Sequence, residues 1–101
     1  MRRYERRIWG WFYVLLNRKH FKVKLLCFYP NGACSKQYHN YRNELWLILK
    51  GNGHMNRNPL EAGEWAMIEA QSQHQYIAQK KTYVLEIQYG AKCEELDIVR
   101  F

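Results

Sequence analysis

Cysteine is scarce and poorly placed for cross-linking. The three thiols, Cys27, Cys34 and Cys93, are odd in number and nowhere closely spaced. That argues against a disulfide framework and for a reducing compartment. Long apolar runs are also missing. The stretch Ile8 to Leu16 follows the basic opening Met-Arg-Arg-Tyr-Glu-Arg-Arg as a signal peptide's core would. It is only about nine residues long and leads into Asn17-Arg18-Lys19 instead of a small-residue cleavage site. It falls far short of the roughly 20 residues that cross a bilayer, so it reads as a strand, and the expected setting is the cytoplasm with no membrane partner. Repeats, low-complexity tracts and linkers are absent, and 101 residues leave room for one domain. Acidic residues are few, 9 against 16 Lys and Arg, for a net charge of +7. This suits an anionic ligand such as a phosphorylated sugar, an acidic protein or a nucleic acid. The basic residues are scattered and no RNP-like segment is visible, so no nucleic-acid partner is expected.

What the chain does have is apolar and aromatic content, 48% and 16%, ample for a packed core. Helical periodicity is poor. The apolar runs are short, β-branched or aromatic, and bounded by turn residues. Strands are expected at Trp11–Leu16, Phe21–Tyr29, Ser35–His39, Glu44–Lys50, His54–Asn56, Glu64–Ile68, His74–Ala78, Tyr83–Tyr89 and Asp97–Phe101, with breaks that include Pro30-Asn31-Gly32, Gly51-Asn52-Gly53 and Asn58-Pro59. Many short strands with regular turn signals predict a sandwich or barrel. In Phe21-Lys22-Val23-Lys24-Leu25 the lysines share one face, which is read as wet. In Glu44–Leu49 both faces are apolar, so both need cover, and the second points to a homodimer. The basic run up to Arg7 reads as a solvated arm that frays.

Four side chains form a ligand set by spacing. Gln37 and His39 are two apart on one strand and face the same way. Glu44 opens the next strand, and His74 begins one about 30 residues on.

That pattern resembles the cupin signature. Its first motif, Gly-x5-His-x-His-x3–4-Glu-x6-Gly, is matched in spacing by Asn31, Gln37-x-His39, Glu44 and Gly51. Its second, Gly-x5-Pro-x-Gly-x2-His-x3-Asn, is matched by Gly63, Glu69-x-Gln71, His74 and Ala78. A narrower resemblance is to the type II mannose-6-phosphate isomerase cupin, which also forms the C-terminal domain of many mannose-1-phosphate guanylyltransferases. It rests on Arg7-Ile8-Trp9-Gly10, Tyr13-Val14-Leu15-Leu16, Lys22-Val23-Lys24, Gln37-x-His39-x-x-Arg42-x-Glu44-x-Trp46, Glu86-Ile87-Gln88-x-Gly90 and Asp97-Ile98-Val99-Arg100-Phe101. Gln37 in place of the first histidine is a habit of that branch. Asn40-Tyr41 replaces the branch's histidine run, and Glu69-Ala70-Gln71 replaces the Pro-x-Gly turn.

The resemblance implies an all-β fold, a single-domain cupin double-stranded β-helix (jelly-roll β-barrel). It implies a divalent metal (Zn, Mn, Fe or Ni) on Gln37, His39, Glu44 and His74, and a sugar-phosphate isomerase of the mannose-6-phosphate/fructose-6-phosphate type. The alternative is a non-catalytic metal- or sugar-binding module. Isomerisation needs a base, for which Glu69, Lys24 and Glu86 are candidates. Arg100 with Lys22 or Lys24 would hold the phosphate, and Tyr41 would contact the sugar. Plainer readings stand beside these: Glu69 as a solvated turn residue, the lysines as a wet strand face, and Arg100 in an ion pair with Asp97 or Glu95.

Overall fold

The structure, a computed structural model, describes residues 3–101 and contains eleven strands and no helix among them. The strands are β1 (Tyr4–Arg7), β2 (Gly10–Asn17), β3 (Phe21–Phe28), β4 (Gln37–Tyr38), β5 (Arg42–Lys50), β6 (Asn52–Met55), β7 (Asn58–Glu61), β8 (Trp65–Ile68), β9 (Tyr76–Ala78), β10 (Thr82–Gly90) and β11 (Val99–Arg100). A six-stranded antiparallel sheet runs β1-β2-β3-β10-β5-β8, and it faces a three-stranded sheet β7-β6-β9 and the short pair β11-β4. The all-β, single-domain expectation holds.

Two strands were not anticipated. Arg3 to Arg7 belongs to no frayed arm: β1 pairs with β2 through a two-residue turn, Arg7 opposite Gly10. The first two residues of the expected arm lie outside the described residues. The Asn58-Pro59 break proves to be β7, reached through a two-residue hairpin at Asn56 and Arg57, both at positive φ (49° and 72°). Such a turn matches the twist of antiparallel strands. Pro59 is tolerated because β7 is an edge strand and need not donate outward. At the end of β5, Gly51 sits at φ 101°, where a Cβ would strike Thr82 Oγ1 and the Lys81 carbonyl. Only glycine joins β5 to β6 there without strain.

The lysine face of β3 is the largest correction. Lys22 and Lys24 point into the barrel and are 2% and 5% exposed, while Phe21, Val23 and Leu25 face outward. The pairing explains why. Lys22 lies beside Gln88, which lies beside Glu44; Lys24 lies beside Glu86, which lies beside Trp46. The inner face of the central strands is therefore polar at one end and apolar at the other. Leu26, Phe28, Val84, Trp46 and Ile48 continue the same rows into a core with Phe12 and Tyr76. The apolar end supplies the hydrophobic stabilisation, and the polar end holds the chemistry.

Candidate functional site

At the polar end the ligand atoms of His39, Glu44 and His74 lie within 4.8 Å of one another, and all three residues are buried. His39 comes from the β4–β5 corner, Glu44 from β5, and His74 from the segment before β9, which bridges to Gln37. His39 Nε2 is 3.1 Å from Glu44 Oε2, and His74 Nε2 is 3.8 Å from Glu44 Oε1. Gln37 Nε2 is 3.5 Å from each imidazole Nε2. The four residues expected to ligate are thus brought together.

The outer ring nitrogens decide what the inner ones offer. His39 Nδ1 donates to the Asp97 carbonyl at 2.6 Å, and His74 Nδ1 donates to the Ser72 carbonyl at 3.4 Å. With both protons held outward, both Nε2 lone pairs point at the centre, as a metal requires. Two imidazoles and a carboxylate fit a divalent transition metal, with the Gln37 amide oxygen available if its amide turns over. Burial pushes the His39 pKa down, against the pull of Glu44, which favours the neutral ring. Burial alone would raise the Glu44 carboxyl, but Arg42, then His39 and His74, bring it down to about 2.

Arg42, in sequence only a motif residue, is the hub of the buried centre. Its Nε donates to Glu44 Oε2 at 2.9 Å, its Nη1 donates to the Glu94 carbonyl at 3.0 Å, and its Nη2 sits 3.2 Å from His39 Nε2. Arg42 and Gln37 also line a cavity of about 420 Å³, so they stand between it and the buried centre. Among the cavity's other lining residues are Arg7, Trp9, Lys24, Glu86, Glu95 and Arg100.

The remaining expected site residues separate into two groups. Lys24 and Arg100 reach the cavity wall, as does Glu86. Lys22 and Lys24 are held by one carboxylate, with Glu95 oxygens at 3.1 and 2.6 Å. Burial would raise Glu95, but Lys24 and Lys22 bring it down to about 2. Glu69 is exposed and lines a second depression, which it shares with Pro59, Ser72 and the candidate ligand His74. It does not line the cavity that Lys24, Glu86 and Arg100 reach. Tyr41 is 50% exposed, stacks under Lys92 Nζ at 4.7 Å, and is absent from the cavity wall. Glu86 has the character of a proton carrier: burial and then the Glu44 charge raise its pKa to about 8, and Gln88 Nε2 donates to it at 2.7 Å.

Two contributors escaped the sequence reading. Arg7 reaches the cavity only because β1 folds back on β2, and a charge run gives no sign of that. Asp97 was expected as no more than a partner for Arg100. Its carboxylate accepts the backbone N–H groups of Asn40 at 2.8 Å and Tyr41 at 2.9 Å, while its carbonyl holds His39.

Comparison with known proteins agrees with this picture. The profile of the family described as mannose-6-phosphate isomerase C-terminal matches residues 1–101. A mannose-1-phosphate guanylyltransferase of Klebsiella pneumoniae is 33% identical over 93% of this chain and 21% of its own length. The xanthan biosynthesis protein XanB of Xanthomonas campestris pv. campestris is 28% identical over 94% of this chain and 22% of its own. The chain therefore spans about a fifth of the length of these relatives. Among solved structures, a double-stranded β-helix protein of Klebsiella pneumoniae superposes with a TM-score of 0.77 at 13% identity, covering 87% of this chain and 75% of that one. A sugar phosphate isomerase from a cupin superfamily of Silicibacter pomeroyi gives 0.70 at 18% identity, covering 80% of this chain and 59% of that one. These likenesses carry the fold, the cupin double-stranded β-helix.

Proposed function

Because the chain belongs to the mannose-6-phosphate isomerase C-terminal family, we propose that it is a metal-dependent aldose–ketose isomerase acting on a phosphorylated sugar of the mannose-6-phosphate/fructose-6-phosphate type. The observation that carries this reading is the convergence of His39, His74 and Glu44 behind a cavity that holds a buried carboxyl and basic side chains. Gln37, His39, Glu44 and His74 would hold a Zn, Mn, Fe or Ni ion, which when bound supplies Lewis acidity toward a substrate oxygen. Arg7 and Arg100 bring two guanidinium forks to the cavity, suited to a phosphate. Glu86, with a pKa of about 8, exchanges a proton near neutral pH, which moving hydrogen between adjacent carbons demands. Lys24, neutralised by Glu95, serves as a positioning charge better than as a base. Neither nucleic acid nor membrane enters this reading, and a cytoplasmic setting keeps the free thiols Cys27, Cys34 and Cys93 reduced.

The test is a coupled assay of mannose-6-phosphate to fructose-6-phosphate conversion after chelation and reconstitution with each metal in turn. Turnover that requires metal and vanishes in Glu44→Gln is expected. A folded protein inactive with every metal sinks the reading for this substrate.

One observation favours a second reading, a sugar-binding cupin without catalysis. The Arg42 guanidinium lies on both Glu44 and His39, and a fixed cation there opposes a dication. Tight sugar binding without metal and without turnover is the outcome that reading requires.

A further inference from the structure

Arg42 draws on the same lone pairs that a metal would need. His39 Nδ1 donates to the Asp97 carbonyl, so His39 Nε2 carries no proton. That nitrogen nevertheless lies 3.1 Å from Glu44 Oε2, a carboxylate oxygen that also has only lone pairs to offer. Two such atoms stay this close in a buried site only when a cation holds them. Arg42 is that cation. Its Nε donates to Glu44 Oε2 at 2.9 Å and its Nη2 to His39 Nε2 at 3.2 Å, so one planar fork spans both. Its remaining contact, from Nη1 to the Glu94 carbonyl at 3.0 Å, involves neither residue.

Once His39 and Glu44 give these lone pairs to a metal, Nε and Nη2 lose their acceptors. A guanidinium only 6% exposed is costly to leave unpaired. It has a place to turn, because Arg42 lines the 420 Å³ cavity in front of the centre. The carboxylates on that wall are already engaged. Glu95 holds Lys22 and Lys24, and Glu86 accepts from Gln88 Nε2. The new acceptor then has to arrive with a ligand, and two oxygens of one anion match a guanidinium fork.

We propose that Arg42 couples metal binding to anion binding: it holds His39 and Glu44 when no metal does, and turns to an anion in the cavity when one does. This inference rests on the metal-site part of the proposed function and not on turnover. Arg42 is then a positioning residue, and the coupling is reciprocal. An anion in the cavity tightens the metal by the same factor by which the metal tightens the anion.

Zinc affinity of the full chain, measured by competition with a chromophoric chelator with and without millimolar inorganic phosphate, tests this. Phosphate should tighten zinc by about 10-fold, within the usual range for coupled sites. Arg42→Met removes the competing cation, which at this range is worth about 10-fold or more in proton affinity, so its zinc binding without phosphate should tighten by at least about that factor. Phosphate should then leave its affinity unchanged. Zinc binding no tighter in the variant overturns the proposal and leaves the metal site standing. A phosphate effect retained in the variant also overturns it, since the anion then acts without Arg42. Absence of zinc binding in both proteins removes the metal site and the proposal together. The Arg42 Nε–H resonance of isotope-labelled wild type reads the same turn on unaltered protein. Tied to Glu44 and shielded from water, it should exchange slowly, shift and exchange faster with zinc, and slow again with phosphate. A resonance that saturating zinc leaves in place overturns the proposal even where Arg42→Met does not fold.

Discussion

Replacing Glu86 by glutamine should stabilise the protein, and the gain should depend on pH in a defined window. Burial first and the nearby Glu44 charge second raise the Glu86 pKa from 4.5 to about 8. Between those values the folded chain keeps a proton that the unfolded chain has released. Stability therefore falls as pH rises, by 1.36 kcal/mol per unit at most, or roughly 5 kcal/mol over the window. Glu44 and Glu95, both brought down to about 2, behave in the opposite sense. Their contribution is fully present above about pH 4.5 and is lost only as pH falls below it. His39 does titrate inside the window. Burial lowers its pKa below the ordinary 6.5, so the unfolded chain binds its proton more readily and this group makes stability rise with pH. That contribution is common to wild type and Glu86→Gln and cancels in their difference. Urea unfolding by tryptophan fluorescence at pH 5, 6, 7 and 8, with chelator present, measures that difference. It should be near zero at pH 5 and grow toward several kcal/mol at pH 8. A difference that stays constant from pH 5 to 8 would show that Glu86 titrates normally, and its role as proton carrier would fall with it.

Two other substitutions follow from the C-terminal segment. Asp97→Ala removes the acceptor for the Asn40 and Tyr41 N–H groups and loosens the corner that aims His39. Zinc affinity measured by competition with a chromophoric chelator should drop about 10- to 100-fold, and unchanged affinity refutes the positioning role. Glu95→Ala leaves two buried ammonium groups without their shared partner. The cost should be near the lower end of the range for a broken buried pair, about 3 kcal/mol, because Glu95 is itself 38% exposed. A loss under 1 kcal/mol in urea unfolding at pH 7 would mean that the lysines find water or a new acceptor.

The ligand set and the barrel were legible because both are local. Gln37 and His39 share a strand face by the two-residue repeat, and the spacing to Glu44 and His74 needs only a corner and a hairpin to close. The same repeat misled at β3. Alternation shows that Lys22 and Lys24 lie opposite Val23 and Leu25, but not which side is the interior, and by polarity alone the lysine side reads as the surface. The interior won because Glu95 lies 71 and 73 residues away in sequence and arrives only when the C-terminal segment docks. A charged lysine is buried at heavy cost without such a partner. Arg7 and Asp97 were missed for the same reason, since their contacts depend on chain segments that no periodicity connects.

The inversion at β3 also decides what the outer face of the sheet presents. If the lysines turn inward, the apolar positions of β3 must turn outward, beside those of β2 and β10 in the same sheet. A buried charged centre and an uncharged outer face are thus two results of one register. Shifting β3 by one residue would expose the lysines and bury Val23 and Leu25, but it would also strand Glu95 and empty the wall opposite Glu86. The apolar outward positions of β3 are fixed by the charge of its inward ones.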